Sequence, residues 1–429
     1  MTSLEQHTIP PSPYRRLIMN GPQQHRIAPT SVDASTVTAL RQRNRALVLK
    51  HVILAGETTR AEIAAEIGLS AASAANIVIE LIDDGLVEER GNKSSRGGRP
   101  ITILGPRTDT AVTVGIDVGE RGVAAELFDL SMNRIDREFR GGEQAETPEL
   151  LAADIAAALE ALRSRHPERW GTLLGVGLGV PGIVETDERG TQMLYAQSLG
   201  WEPVDIDDLC RIENAPVLAE NGAKLQARAE MWFGNAKDAQ HAIVAMIGRG
   251  VGMGVVTNGD IATGSRSSAS EWGHTTLNVN GEICRCGNRG CVEAYLGADA
   301  ILRRWQATGA SVPGSGWSAL GALIEASRDE PGAHDLIESI IVELGAAIGS
   351  MVNLTNPDRV VIGGWVGERL IDAFPAEIDA SIKSHALRRP GSQYELTGTR
   401  FGGDAVAIGA GLLPLEALIS TGWTVDTPA

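Results

Sequence analysis

One short stretch, residues 271–293, holds three of the four cysteines in the chain. Together with a histidine they follow the spacing H-x9-C-x-C-x4-C, as His274, Cys284, Cys286 and Cys291. One imidazole and three thiolates complete a tetrahedral set for Zn²⁺, and sulfur ligands favour zinc over magnesium or calcium. Since four protein ligands leave no position for a water, the spacing predicts a structural zinc and not a catalytic one. The alternative, three reduced core cysteines, fits poorly with glycine-rich polar surroundings, and a disulfide is disfavoured because no secretory signal is present.

Two carboxylates, Glu271 and Glu293, bracket these ligands and are suited to hydrogen bonding with the hydroxyl groups of a sugar. The pattern E-x-G-H followed by C-x-C-G-x-x-G-C-x-E resembles the ROK family of repressors, open reading frames and kinases. The resemblance implies a two-lobed α/β fold with ribonuclease-H-like, actin-like sheets and a ligand cleft between the lobes. It also implies that Asn221, Glu271, His274 and Glu293 contact the ligand, with His274 using its second ring nitrogen to bind zinc.

The segment Glu220-Asn221-Gly222-Ala223 bears on enzymatic activity. In the ROK kinases that it resembles, an aspartate follows the asparagine and acts as the general base that takes the proton from the sugar hydroxyl attacking ATP. Gly222 has no side chain, and loss of a general base typically removes about 10²–10⁴ of the rate. The phosphate loops depart from the kinase pattern as well, with Glu120 after Asp117-Val-Gly119 and Arg249 in place of a threonine. We therefore expect no catalytic residue and no kinase activity.

Residues 35–107 are predicted to form a winged helix-turn-helix. Thr59 can cap a short helix that ends at Gly68, Ser70 can cap the next one, and a hairpin with a basic tip follows. The arginine-rich segment 41–45 and the Gly-Gly-Arg-Pro at 97–100 also resemble the head of the ROK repressors. The residues predicted to contact DNA are Arg41, Arg45, Ser70, Ser73, Asn76, Arg96 and Arg99. The second helix has no arginine near its start that could bind a guanine base in the major groove. Its specificity would therefore depend on Ser73, Asn76 and DNA shape.

The distribution of charge is consistent with a head that alone meets phosphate. The net charge is −16, but residues 1–110 carry 13 Lys and Arg against 11 Asp and Glu, so the acidic excess lies in the remainder. Apart from Cys284, Cys286 and Cys291, the fourth cysteine, Cys210, is expected to be buried. No apolar run of 18 residues and no signal-peptide pattern is found, so we expect a cytoplasmic protein that does not contact membranes.

The predicted domains are a flexible tail (1–34), the winged helix (35–107), a first α/β lobe (110–225 with 400–429) and a second, zinc-containing lobe (226–399). Each lobe is expected to repeat a glycine-turn hairpin followed by helices. The predicted function is transcriptional regulation, most simply repression, by a homodimer or homotetramer that binds double-stranded operator DNA and a sugar or sugar phosphate. Two alternatives remain: a sugar kinase with an appended head, and a regulator with a non-sugar ligand, which the departures at Gln197, Ser198 and Gly222 would permit.

Overall fold

The structure, a computed structural model, describes residues 37–94, 100–119, 122–141 and 147–421. The predicted tail (1–34), two of the predicted DNA contacts, Arg96 and Arg99, and the Glu120-Arg121 pair lie outside the described residues. The chain forms a small head of helices and a hairpin, followed by a body with two five-stranded sheets.

The head consists of three helices and one antiparallel hairpin: α1 (Val37–Ala55), α2 (Arg60–Ile67), α3 (Ala71–Asp83), β1 (Val87–Lys93) and β2 (Ile101–Pro106). The Thr59 hydroxyl accepts a hydrogen bond from the Glu62 amide, and the Ser70 hydroxyl accepts one from the Ser73 amide. Gly68 ends α2 in the left-handed conformation, at φ 72°, which glycine adopts without a steric penalty. These are the caps and the stop that the sequence predicted.

The first lobe is built on a mixed sheet with the strand order β10-β6-β3-β4-β5. The hairpin strands β3 and β4 are antiparallel, and β6 and β10 continue the sheet in parallel. The elements of this lobe are β3 (Val112–Gly119), β4 (Gly122–Asp129), β5 (Arg134–Arg140), α4 (Pro148–Arg165), α5 (Pro167–Trp170), β6 (Leu173–Val180), β7 (Ile183–Thr186), β8 (Gln192–Tyr195), β9 (Val204–Asp205), α6 (Ile206–Leu209) and β10 (Val217–Asn221). Strands β7, β8 and β9 form a small antiparallel sheet of their own.

The second lobe repeats the same arrangement with the strand order β13-β12-β11-β14-β15. An antiparallel group is again continued by two parallel strands, so the expected pseudo-repeat is present. After the connecting helix α7 (Gly222–Phe233), the elements are β11 (His241–Ile247), β12 (Val251–Thr257), β13 (Asp260–Ile261), α8 (Glu293–Leu296), α9 (Ala298–Ala307), α10 (Gly316–Ala326), α11 (Pro331–Thr355), β14 (Arg359–Gly363), α12 (Gly364–Ala373), α13 (Pro375–His385), β15 (Glu395–Gly398) and α14 (Ala405–Thr421).

The helices α7 and α14 cross between the lobes. Helix α7 follows the last strand of the first lobe yet packs on β11 and β12 of the second, whereas α14 follows the last strand of the second lobe and packs on β3 and β6 of the first. Glycines allow this close approach, since a Cβ added to Gly115 or Gly177 would lie 1.9 or 1.8 Å from a backbone carbonyl of α14. The glycine-rich strands are therefore docking surfaces for this helix.

Two features of these helices concern Pro414 and the boundary between the lobes. Helix α14 continues through Pro414, and Gly175, whose added Cβ would lie 3.0 Å from the Pro414 Cβ, provides room for the ring. The predicted boundary between residues 225 and 226 falls inside α7, a helix shared by both lobes. The segment Gly402–Ser420 is long and apolar enough to cross a membrane by composition, but 61% of it is buried as a core helix.

Candidate functional site

The four predicted metal ligands converge in the second lobe. The coordinating atoms of His274, Cys284, Cys286 and Cys291 all lie within 4.8 Å of one another. His274 Nδ1 is 3.7 Å from the Cys284 Sγ, and the Cys286 and Cys291 Sγ atoms are 3.8 Å apart. Tetrahedral Zn²⁺ with Zn–S bonds of about 2.3 Å requires S···S separations of about 3.8 Å. The chemistry of the donor set and the two closest donor pairs are therefore compatible with a zinc ion.

The loop that carries the cysteines is shaped by its glycines. Gly287 and Gly290 have φ values of 90° and 76°, and a Cβ on Gly290 would lie 1.7 Å from the Asn278 carbonyl oxygen. Burial raises the pKa of the Cys284 thiol to about 12 and also raises that of Cys291. These thiols thus ionise at neutral pH only beside a cation, whose charge favours the thiolate.

Three of the predicted ligand residues, Glu271, His274 and Glu293, lie on or beside this loop. Burial raises the pKa of Glu271, while the charges of Lys224 and His274 oppose that effect and those of Glu220 and Glu293 reinforce it. The structure therefore brings Glu271, His274 and Glu293 together, as expected. A carboxyl group with this environment is stabilised by hydroxyl donors, which a sugar supplies.

The carboxylate of Glu293 makes its contacts mainly with other groups of the protein. Its Oε2 accepts the Val251 amide at 3.0 Å, and its Oε1 lies 3.4 Å from the Arg285 guanidinium and 3.6 Å from the Cys284 Sγ. The residue is only 6% exposed. Glu293 thus joins the loop of residues 274–291 to the start of β12, which gives it a positioning role. Its contact with a ligand stays a prediction.

Asn221 has a role that the sequence did not reveal. It caps α7, with Oδ1 accepting from the Ala223 and Lys224 amides at 2.9 and 3.4 Å, and its Nδ2 donates to the Gly182 carbonyl at 2.8 Å. Among the described residues these bonds account for both acceptor positions and one of the two N–H groups. A ligand hydroxyl could therefore meet at most one N–H of Asn221.

Two further residues at the cleft were not predicted. Lys224 is 1% exposed and donates to the Ser267 backbone carbonyl, with Glu220 Oε1 at 3.5 Å. Gln197, noted from sequence only as a departure from the family pattern, donates from Nε2 to the Cys286 carbonyl at 3.1 Å and so links the first lobe to the zinc-ligand loop. In the sequence, the only sign of the Lys224 contact is a lysine two positions after Gly222.

In the head, some of the residues predicted to contact DNA are exposed and one is buried. Ser73 and Asn76 are exposed at the start of α3, where the Ser70 and Ser73 hydroxyls are 2.8 Å apart. Arg41 is exposed and paired with Glu80. The predicted DNA contact of Arg45 is wrong, because the residue is 8% exposed and its guanidinium forms an ion pair with Asp84. A guanidinium held inside the head stabilises the packing of α1 on α3 and cannot reach a phosphate.

A helical head with a hairpin, carried on two actin-like lobes with a Cys₃His loop at their cleft, defines the class of protein. A family model described as "ROK family" matches residues 113–417, and the chain belongs to this family. It is similar to the xylose repressor of Bacillus spizizenii, with 27% identity over 90% of this chain and 98% of that one. It is also 30% identical to the xylose repressor of Caldicellulosiruptor bescii, over 76% and 84% of the two chains.

The kinases of the family match less of the chain. A glucokinase of Halalkalibacterium halodurans is 31% identical over 70% of this chain and 94% of its own. Among solved structures, a ROK transcriptional regulator similar to the E. coli MLC protein superposes with a TM-score of 0.72 at 23% identity, covering 89% of this chain and 98% of its own. A glucokinase from Streptomyces griseus gives 0.60 at 26% identity, covering 71% and 99%. The repressors and the regulator therefore match 76–90% of the chain, and the glucokinases 70–71%.

Proposed function

We propose that this protein is a DNA-binding transcriptional repressor whose head responds to a sugar bound between the lobes. The observation that carries the proposal is the head itself. It shares one hydrophobic core with the body, and the relative matched over 90% of this chain is a xylose repressor. A head with no role in ligand sensing would not need to pack against α14, the last helix of the two-lobed body.

The DNA-binding surface that we propose is the exposed start of α3 with the hairpin beside it. Ala71, Ala72, Ser73 and Asn76 are exposed there, and small side chains allow the helix to enter a major groove closely. Arg41 adds a phosphate contact from α1, whereas Arg45 is excluded by its burial. Arg96 and Arg99, which come between β1 and β2 in the sequence, remain predicted contacts to the backbone or minor groove.

We propose further that His274, Cys284, Cys286 and Cys291 hold a structural zinc. When bound, zinc would fix the loop that presents Glu271 and Glu293 to the cleft. The same loop is linked to the first lobe through Gln197. Loop geometry and ligand response should therefore depend on the metal together.

The absence of kinase activity is also part of the proposal. At the position of the general base, Gly222 begins α7, and the nearest side chains to a Cβ added there are Val406 and Met246, at 3.8 and 3.9 Å. No carboxylate projects from that position. The kinase alternative keeps one supporting observation, the 31% identity to a glucokinase, and a coupled assay for ADP release with glucose and xylose tests it.

The names of the relatives suggest which sugars to try first. D-xylose and N-acetylglucosamine are the leading probes, because they name the repressors of Bacillus and E. coli to which this chain is similar. We place the protein in the cytoplasm, as a homodimer or homotetramer on a two-fold operator. A non-sugar ligand stays the second candidate, because Gly222 leaves additional space in the cleft.

The deciding experiment is fluorescence anisotropy of the full chain on DNA from upstream of its own gene, against scrambled DNA, across a salt series. Specific binding that exceeds non-specific binding by at least about 10³-fold, and that one sugar weakens, supports the proposal. Specific binding whose affinity no sugar changes would refute the sugar ligand and would still support the repressor function. Equal affinity for both DNAs would refute the DNA-binding function.

A further inference from the structure

Helix α7 joins the ligand cleft to the DNA-binding head in a single rigid element. Its first residue, Gly222, follows the capping Asn221, and its twelve residues span about 18 Å at 1.5 Å per residue. One end lies at the cleft and the other lies under the head. Each end is fixed by specific side-chain contacts.

At the cleft end, the contact is made by Lys224. Its ammonium donates to the Ser267 carbonyl and lies 3.5 Å from Glu220 Oε1. The Ser267 hydroxyl in turn lies 3.4 Å from Glu220 Oε2. Ser267 has a φ of 60° and belongs to the segment that leads directly to Glu271. Any ligand that displaces this segment therefore acts on the first turn of α7.

At the head end, the contact is made by Trp232. The indole is 3% exposed and belongs to the hydrophobic core of the head, together with Val48 and Val52 of α1. The Lys50 ammonium lies 4.9 Å from the ring centroid, a cation–π distance. The indole N–H donates to Glu416 Oε1 of α14 at 2.7 Å. Trp232 thus contacts the head and the second crossing helix at the same time.

Between its ends, α7 is packed too tightly to absorb a displacement. A Cβ on Gly254 of β12 would lie 2.3 Å from the Ala227 Cβ, and one on Gly409 of α14 would lie 2.0 Å from the Leu225 carbonyl oxygen. Close-packed interiors transmit strain because they have little free volume. A shift at Lys224 must therefore appear at Trp232.

We propose that α7 is the element that couples the cleft to the head, with Lys224 and Trp232 as its two coupling residues. This inference rests on the proposed repressor function. Coupling requires that the ligand change the relative stability of two arrangements of the helix, and the contacts at each end provide the difference. Neither residue needs to touch the operator or the sugar.

The first test compares Trp232→Phe with Trp305→Phe. Both tryptophans are 3% exposed, but Trp305 lies in α9 of the second lobe, and its indole nitrogen has no hydrogen-bond partner among the described residues. Ligand coupling typically changes affinity by about 5–150-fold. With D-xylose as the probe, Trp232→Phe should reduce the fold-change in operator affinity at least about fivefold and leave the sugar Kd measured by calorimetry unchanged. An unaltered fold-change, or an equal reduction in Trp305→Phe, would overturn the proposal.

The second test needs neither sugar nor operator. Lys224→Met should increase amide hydrogen exchange in residues 48–53 of α1 at least about threefold, since local opening depends on the contacts that hold a segment. In the double variant with Trp232→Phe, the additional increase in exchange caused by Lys224→Met should be less than half of the increase it causes alone. Such a reduced effect is the signature of coupled sites. Independent, additive effects in the double variant would refute α7 as the coupling element even if the chain binds DNA. Loss of specific DNA binding with coupled exchange would refute only the repressor function.

Discussion

Replacing Cys286 with serine isolates the contribution of the metal. Its Sγ lies 3.8 Å from the Sγ of Cys291, the separation that two thiolates on one zinc ion require. A serine hydroxyl stays protonated near neutral pH and is a poor zinc ligand, so the variant keeps one imidazole and two thiolates. We expect the purified variant to hold far less than one zinc per chain, whereas the wild type holds one.

The stability consequence follows from mass action. A ligand that binds only the folded state at a free concentration of about 1,000 Kd stabilises that state by about 4 kcal/mol. For a unit of 150–250 residues, each kcal/mol shifts the melting temperature by about 2–4 °C. The second lobe, residues 241–398, is of that size. Its melting transition should therefore fall by roughly 8–16 °C in Cys286→Ser, a change that excess zinc does not reverse.

Zinc content by mass spectrometry and unfolding by differential scanning calorimetry check this prediction. Cys210→Ala is the matched control, because Cys210 is 3% exposed in the core of the first lobe, which contains none of the four predicted ligands. It should retain one zinc and destabilise only the first lobe. Full zinc content in Cys286→Ser, or an unchanged second-lobe transition, would refute a structural metal held by these four residues.

Three further changes test separate parts of the molecule. Gly222→Asp should raise stability by about 1 kcal/mol in chemical unfolding, because it removes a flexible glycine and places an acid in the first turn of a helix, yet ADP release should stay absent. Thr59→Ala removes the cap of α2 and should cost about 1 kcal/mol, and an unchanged melting point of the head would contradict the cap. Burial raises the pKa of Asp136, but hydrogen bonds from Arg165 and His166 outweigh it and bring that pKa to about 2. The stability from this carboxylate is present above its usual pKa of 3.8 and lost as the pH falls through about 2, so Asp136→Asn should flatten the acid limb of the stability curve.

The predictions that succeeded from sequence depend on local patterns. The four predicted metal ligands fall within a span of eighteen residues, 274–291, and the caps at Thr59 and Ser70 act within three residues of their partners. Such short separations leave the chain few alternatives. Ligand spacing and capping chemistry could therefore be recognised before any fold was known.

The failures all involve contacts between distant segments. Arg45 was predicted to face DNA, but Asp84, 39 residues away, holds it inside the head. Lys224 meets Ser267 43 residues later, and neither residue belongs to a motif. Pro414 of α14 packs beside Gly175 in a strand of the first lobe, which the sequence also does not indicate. No local propensity contains this information, because tertiary packing decides which arginine is buried and which proline is accommodated.

The position of the head on the body has a mechanical consequence. Leu412, Leu415 and Leu418 of α14 belong to the same core as Trp232 at the end of α7, and both sets pack against α1. Each crossing helix is packed on a different lobe, so any rotation of one lobe against the other displaces the ends of these two helices relative to each other. A head attached to a single lobe would move with it as a rigid body and would experience no internal change. A head that packs across both helix ends must either resist the rotation or be distorted by it, and in both cases ligand binding and operator binding become linked.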